Sequence, residues 1–118
     1  EDVAVRVEAT DLTVILDNLL SNAIAYTERG RILIRLVASP TDVEIAIADT
    51  GVGIPTGDLE RVFERFYRVD RARSRTSGGT GLGLSLVRNA VERADGTVTI
   101  NSESGRGTTV TVTVPRVV

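Results

Sequence analysis

No histidine occurs among the 118 residues. That gap removes a Ser-His-Asp triad, a zinc site built on imidazole, and any internal histidine that could accept a phosphoryl group. Lysine is missing as well: all 14 basic residues are arginine. A phosphate-binding loop of the G-x-x-x-x-G-K-[ST] type and the strand lysine of eukaryotic-type protein kinases are thereby excluded. Any nucleotide site must then hold phosphate with backbone amides, arginine and a metal. The lack of cysteine rules out disulfides and thiolate metal sites and fits a reducing compartment. The lack of methionine makes the chain read as a piece of a longer product. No apolar run approaches the roughly 20 residues that cross a bilayer, and no secretory signal pattern is present, so no direct membrane contact is expected. The net charge of −2 argues against a nucleic-acid partner.

What remains is ordinary for one globular domain over residues 1–118, with 42% hydrophobic and 25% charged residues. Val3, Val5 and Val7 alternate as a short strand. Thr10 or Asp11 is expected to cap a helix running to about Tyr26, with Leu12, Leu16, Leu19, Leu20 and Ala23 as its core stripe. Two strands, Arg31 to Ala38 and Asp42 to Asp49, are joined by the turn Ser39-Pro40-Thr41. A glycine-bearing loop and a short helix over residues 59–67 follow, then a basic loop with Arg68, Arg71, Arg73 and Arg75. A second long helix spans about Leu82 to Ala94, with Gly96 as its expected left-handed cap. Thr97 to Asn101 and Thr108 to Pro115 read as a terminal hairpin. This order predicts an α/β sandwich of two layers: a mixed, mostly antiparallel sheet with about three helices packed on one face.

Four stretches carry chemistry. Gly78, Gly79, Gly81 and Gly83 leave backbone N–H groups bare just before a helix, where free amides and the helix dipole favour phosphate. Asn18 and Asn22 lie one turn apart at the boundary between core and solvent. A carboxamide oxygen there suits a hard cation such as Mg²⁺, which takes few protein ligands, or else both amides simply bind solvent or a loop. Asp49 ends the apolar strand Ile45-Ala46-Ile47-Ala48 beside Gly51 and Gly53. It can accept an exocyclic amine from a ligand ring, or cap its own loop in an Asx turn. Asp49-Thr50-Gly51 also matches the active-site triplet of retroviral-type aspartic proteases, although those are nearly all-β. Phe63 and Phe66 read as core contacts, while Arg68 can reach phosphate oxygens.

In this order the pieces resemble the catalytic and ATP-binding domain of bacterial sensor histidine kinases, a Bergerat-fold family related to DNA gyrase B. Residues 17–26 are similar to its N box, Asp49-Thr50-Gly51-Val52-Gly53-Ile54 to its G1 box, and Phe63-Glu64-Arg65-Phe66-Tyr67-Arg68 to its F box. Gly79-Thr80-Gly81-Leu82-Gly83-Leu84-Ser85 resembles the G2 box, and Gly105-Arg106-Gly107-Thr108 the closing glycine turn. The resemblance covers residues 11–114. It implies that Asn22 ligates Mg²⁺ with Asn18 close to the phosphates, that Tyr26 stacks near the adenine, and that Asp49 accepts the adenine amine. Gly51 and Gly53 would let the base approach. Arg68 would contact the phosphates, residues 69–80 would form a lid, and Thr80, Gly81, Leu82, Gly83 and Leu84 would line the ATP. Asn18, Asn22 and Arg68 are thus the expected catalytic set.

The same resemblance implies ATP and Mg²⁺ as ligands and a histidine on a separate dimerisation domain of the parent kinase as acceptor. A cognate response regulator would be the next partner, in a cytoplasmic domain of a membrane-anchored protein. In hydrolysing relatives a glutamate stands where this chain has Asn18; an amide cannot act as a general base, which favours transfer over hydrolysis. Ala25 departs from the family pattern of a lysine or arginine reaching the terminal phosphate. A nucleotide-binding module without transfer and an anti-sigma-type serine kinase remain the alternatives.

Overall fold

The computed structural model describes residues 4–25, 27, 29–54, 57, 61–63, 83–103 and 105–117. Its elements run α1 (Ala9–Ala25), β1 (Ile32–Ala38), β2 (Asp42–Asp49), α2 (Gly83–Arg93), β3 (Thr97–Glu103) and β4 (Gly107–Pro115). The strands form one sheet in the order β1-β2-β4-β3. Every pairing among the described residues is antiparallel, so the expected mixed character is not seen there. Of the expected first strand, the described residues show a bridge between Val5 and Arg116, and Val3 lies outside them.

Alternation decides which sheet face is covered. Val43, Ile45 and Ile47 of β2 pair with Val114, Val112 and Val110 of β4, and all six are buried. The helices lie over this face and bring Ile15, Leu19 and Ala23 from α1 and Leu84, Val87, Ala90 and Val91 from α2 into the same cluster. The other face carries Ala46, Ala48, Thr111 and Thr99. The result is the two-layer sandwich anticipated, with two long helices described. Of the short helix expected over residues 59–67, residues 61–63 form a turn that adds buried Val62 and partly buried Phe63 to the core. The rest of that segment lies outside the described residues. At the sheet's edge β1 is exposed along its whole length, Leu33 at 61% and Leu36 at 67%.

Three boundaries differ from expectation for local reasons. The first helical bond of α1 runs from the Leu12 N–H to the Glu8 carbonyl at 2.9 Å, so Thr10 and Asp11 sit inside the first turn. Asp11 there complements the helix dipole. The buried stripe adds Ile15, at 0% exposure, to the expected Leu19 and Ala23, with Leu16 and Leu20 packed against it. The end of α2 is closed by N–H bonds from Gly96 to the Val91 carbonyl, 2.9 Å, and from Asp95 to the Glu92 carbonyl, 3.1 Å. This is the Schellman pattern, with Asp95 (φ 59°), not Gly96, in the left-handed position. Gly96 is required for another reason: a Cβ there would collide with the Thr113 carbonyl.

Candidate functional site

The two helices are antiparallel, and one ion pair fixes their register. Arg93 at the end of α2 grips Asp11 at the start of α1, Nη2 to Oδ1 at 2.7 Å and Nε to Oδ1 at 3.2 Å. Asn22 and Gly83 each lie about 15–17 Å along their helices from that bridge, at roughly 1.5 Å per residue. The C-terminal end of α1 is thereby brought level with the first turn of α2. Leu84, one of the expected ligand-lining residues, is buried in the core at this end together with Leu19, Ala23 and Ile47.

Asn22 follows Ile15 by seven residues and so shares its inward face. Its side-chain Oδ1 is buried and has no hydrogen-bond partner among the described residues. A buried carbonyl oxygen left unmated costs about 1–3 kcal/mol, so this atom calls for a ligand. It is the hard, neutral oxygen that Mg²⁺ accepts alongside waters and phosphate oxygens. Among the described residues no group of three or more His, Cys, Asp or Glu could hold a metal, so a cation here would rely on Asn22 and the ligand's own oxygens. Asn18 is half-buried, and its Nδ2 donates to the Val14 carbonyl one turn back at 2.7 Å. Ala25 is buried at 4% exposure, a position that a long cationic side chain could not share.

Asp49 ends β2 at the same end of the molecule. Its Oδ1 accepts the Gly51 N–H at 2.9 Å, so the Asx turn weighed from sequence is present, and it uses only one of the two carboxylate oxygens. Burial raises the Asp49 carboxyl above its ordinary value, while the backbone N–H groups of Gly51 and Thr108 and the Thr27 hydroxyl pull it back. Thr27 Oγ1 is buried and closes no hydrogen bond of good geometry among the described residues; it leans toward Asp49 from just beyond α1. The Asp49 loop then passes through buried Gly53, held at φ 72°.

That loop is tied to the β3–β4 hairpin. The Gly105 N–H donates to the Val52 carbonyl at 2.6 Å, and the Ile54 N–H to Ser102 Oγ at 2.7 Å. Gly107 has φ 120°, and a Cβ there would run into the Asp49 carbonyl. An open cleft of about 510 Å³ beside the hairpin is lined by Asp49, Asn101, Ser102, Glu103, Arg106, Gly107, Thr108 and Thr109.

Of the expected site residues, Asn18, Asn22, Asp49, Gly51, Gly53, Gly83 and Leu84 are described and gather at one end of the sandwich. Tyr26, Arg68, Thr80, Gly81, Leu82 and the proposed lid over residues 69–80 lie outside the described residues. Thr27 and Ser102 were not anticipated. For Ser102 a signal existed, a polar residue at the inward position after Val98 and Ile100; Thr27 carried none. The aspartic-protease alternative fails on α1 and α2, which cover the inward face of β2 and β4.

Residues 7–118 match the family described as histidine kinase-, DNA gyrase B- and HSP90-like ATPase. The sensor-like histidine kinase SenX3 of Mycobacterium tuberculosis is 46% identical over 112 residues, which are 94% of this chain and 27% of that protein. Among solved structures, the mycobacterial sensor histidine kinase MprB superposes with a TM-score of 0.81 at 31% identity, over 95% of this chain and 76% of that one. Full-length ShkA in complex with AMPPNP gives 0.74 at 32% identity, over 90% of this chain and 21% of that one. The chain therefore spans about a quarter of the SenX3 length. With a family match over nearly its whole length and a sandwich that superposes on histidine-kinase structures, this chain belongs to the histidine kinase-, DNA gyrase B- and HSP90-like ATPases.

Proposed function

We propose that this chain binds Mg·ATP and presents the γ-phosphoryl group to a histidine on a separate helical domain of a parent sensor kinase, for relay to a response regulator. The observation that carries the reading is the unpartnered Asn22 oxygen, buried at the end of α1 and level with the first turn of α2. A cation and a phosphate chain would satisfy it from one direction, while the helix N-terminus beginning at Gly83 offers free amides to the same phosphates. Asp49 would take the adenine amine on its carboxylate, which the Gly51 N–H holds in place through Oδ1. The resemblance assigns Tyr26 to the adenine, and Arg68, Thr80, Gly81 and Leu82 to the phosphates. Mg²⁺, when bound, would neutralise charge on the phosphate oxygens.

Phosphoryl transfer depends chiefly on position and charge neutralisation, so a donor domain needs no nucleophile of its own. Asn18 cannot accept a proton from water, since an amide is far too weak a base. Hydrolysis should therefore be slow relative to transfer. The test is calorimetry with Mg·ATP followed by transfer in trans: radiolabel should appear on an added histidine-bearing helical domain and never on this chain alone. Binding without transfer would leave a nucleotide-binding module, and no heat of binding would end the reading.

A further inference from the structure

Ser102 stands on the core side of β3, where the alternation that brings Val98 and Ile100 inward calls for an apolar residue. Its hydroxyl is used to capacity. A serine oxygen has one proton to give and two lone pairs to offer. Ser102 Oγ accepts the Ile54 N–H at 2.7 Å, donates to the Gly107 carbonyl at 2.9 Å and lies 2.7 Å from Thr108 Oγ1. With its proton committed to Gly107, the third contact has one assignment: Thr108 donates and Ser102 accepts.

Two consequences follow. Thr108 pairs with Asp49 across the sheet, at the start of the loop, and Ile54 is the loop's far end. One hydroxyl thus ties the far end of residues 49–54 to the hairpin and braces Thr108, the ladder partner of Asp49 at the near end, while the Gly105–Val52 bond ties the middle. The second consequence concerns polarity. The Thr108 proton is turned toward Ser102, so toward the cleft it shares with Asp49 the Thr108 hydroxyl has only lone pairs to offer. Ionised Asp49 likewise offers only lone pairs.

We infer that Ser102 is a positioning residue for base recognition: it fixes the loop and sets Thr108 beside Asp49 as a pair of acceptors. Such a pair admits an exocyclic amine and repels a carbonyl oxygen. The inference rests on the ATP reading and goes beyond it, because Ser102 sets the preference for an amino purine over an oxo purine without touching the base.

The experiment compares the unaltered chain with Ser102→Ala, Ser102→Thr and Thr99→Ala, the last on the opposite face of the same strand. Calorimetry gives the ratio of Mg·ATP to Mg·ITP affinity. The ratio should fall roughly tenfold in Ser102→Ala, as loss of one buried hydrogen-bond link implies. It should recover in Ser102→Thr and stay unchanged in Thr99→Ala. An unchanged ratio in folded Ser102→Ala overturns the inference. Should that variant not fold, Thr108→Val cuts the same link from β4; a fallen ratio supports the inference and a retained one overturns it. If the unaltered chain binds neither nucleotide, the ATP reading fails by itself. Amide exchange at Ile54 then decides on Ser102: faster exchange in Ser102→Ala upholds the fastening, and unchanged exchange overturns it.

Discussion

Replacing Asp49 with asparagine separates two effects that the carboxylate now combines. Asparagine keeps an oxygen for the Gly51 N–H, bonded at 2.9 Å in the parent, so the turn should survive. The charge disappears, and with it the desolvation that is the largest influence on this carboxyl. The folded-state pKa of Asp49 lies above its ordinary value of 3.8, so the folded chain holds this proton more tightly than the unfolded one. Its contribution to stability is present below the ordinary value and is lost as pH rises through the folded value. Asp49→Asn removes that loss, and at pH 7 its melting temperature should equal or exceed the parent's. Recognition should move the other way. A hydrogen bond to a charged acceptor contributes about 1.5–3 kcal/mol, so Mg·ATP affinity should fall roughly 10- to 150-fold while Mg·GTP affinity changes little. Thermal melts and calorimetry on the same preparation read both effects. A variant that melts lower and keeps the ATP-to-GTP ratio would refute the reasoning.

Asn22→Ala should weaken Mg·ATP more than metal-free ATP in titrations with and without chelator, and it should not destabilise the fold, because it deletes an unmated buried oxygen. Arg93→Ala should remove the support that holds the Asp11 pKa below its ordinary value of 3.8. The Asp11 contribution exists above that value and is lost as pH falls through the lower, folded one, so urea midpoints of parent and variant should differ at pH 7 and converge in strong acid. Ile15→Ala, at the fully buried centre of α1, should cost about 2–5 kcal/mol in urea unfolding. Gly107→Ala meets both a positive φ and the Asp49 carbonyl; it should lose more than about 1 kcal/mol, with ATP affinity falling as Asp49 is displaced.

Both hairpins were readable because period-two alternation and turn residues act within a few positions: Ser39, whose N–H and hydroxyl bond Asp42, is a local event. The boundaries that moved were decided by competition between equally local options. Glu8 won the start of α1 because its carbonyl could take the Leu12 N–H, and an Asp proved able to hold the left-handed position beyond α2. The leucine row placed Leu19 and Ala23 in the core but passed over β-branched Ile15 at its centre. In the site, Asn22 and Asp49 stood out as polar residues at the ends of apolar elements. Ser102 and Thr27 did not, since their partners arrive from distant segments: Ile54 is 48 positions from Ser102. Such pairings exist only once the sheet and loop have met.

The uncovered rim at β1 has a consequence for how the molecule behaves in concentrated solution. A strand with Leu33, Ile34 and Leu36 open to water and one unpaired backbone edge among the described residues is a template for sticking to a second copy. Arg35 occupies its midpoint, and full antiparallel overlap of two such strands would set guanidinium against guanidinium. That single side chain acts as a gatekeeper whose repulsion fades as salt rises, so colloidal stability of this domain should be greatest in dilute buffer, and Arg35→Val should abolish the protection.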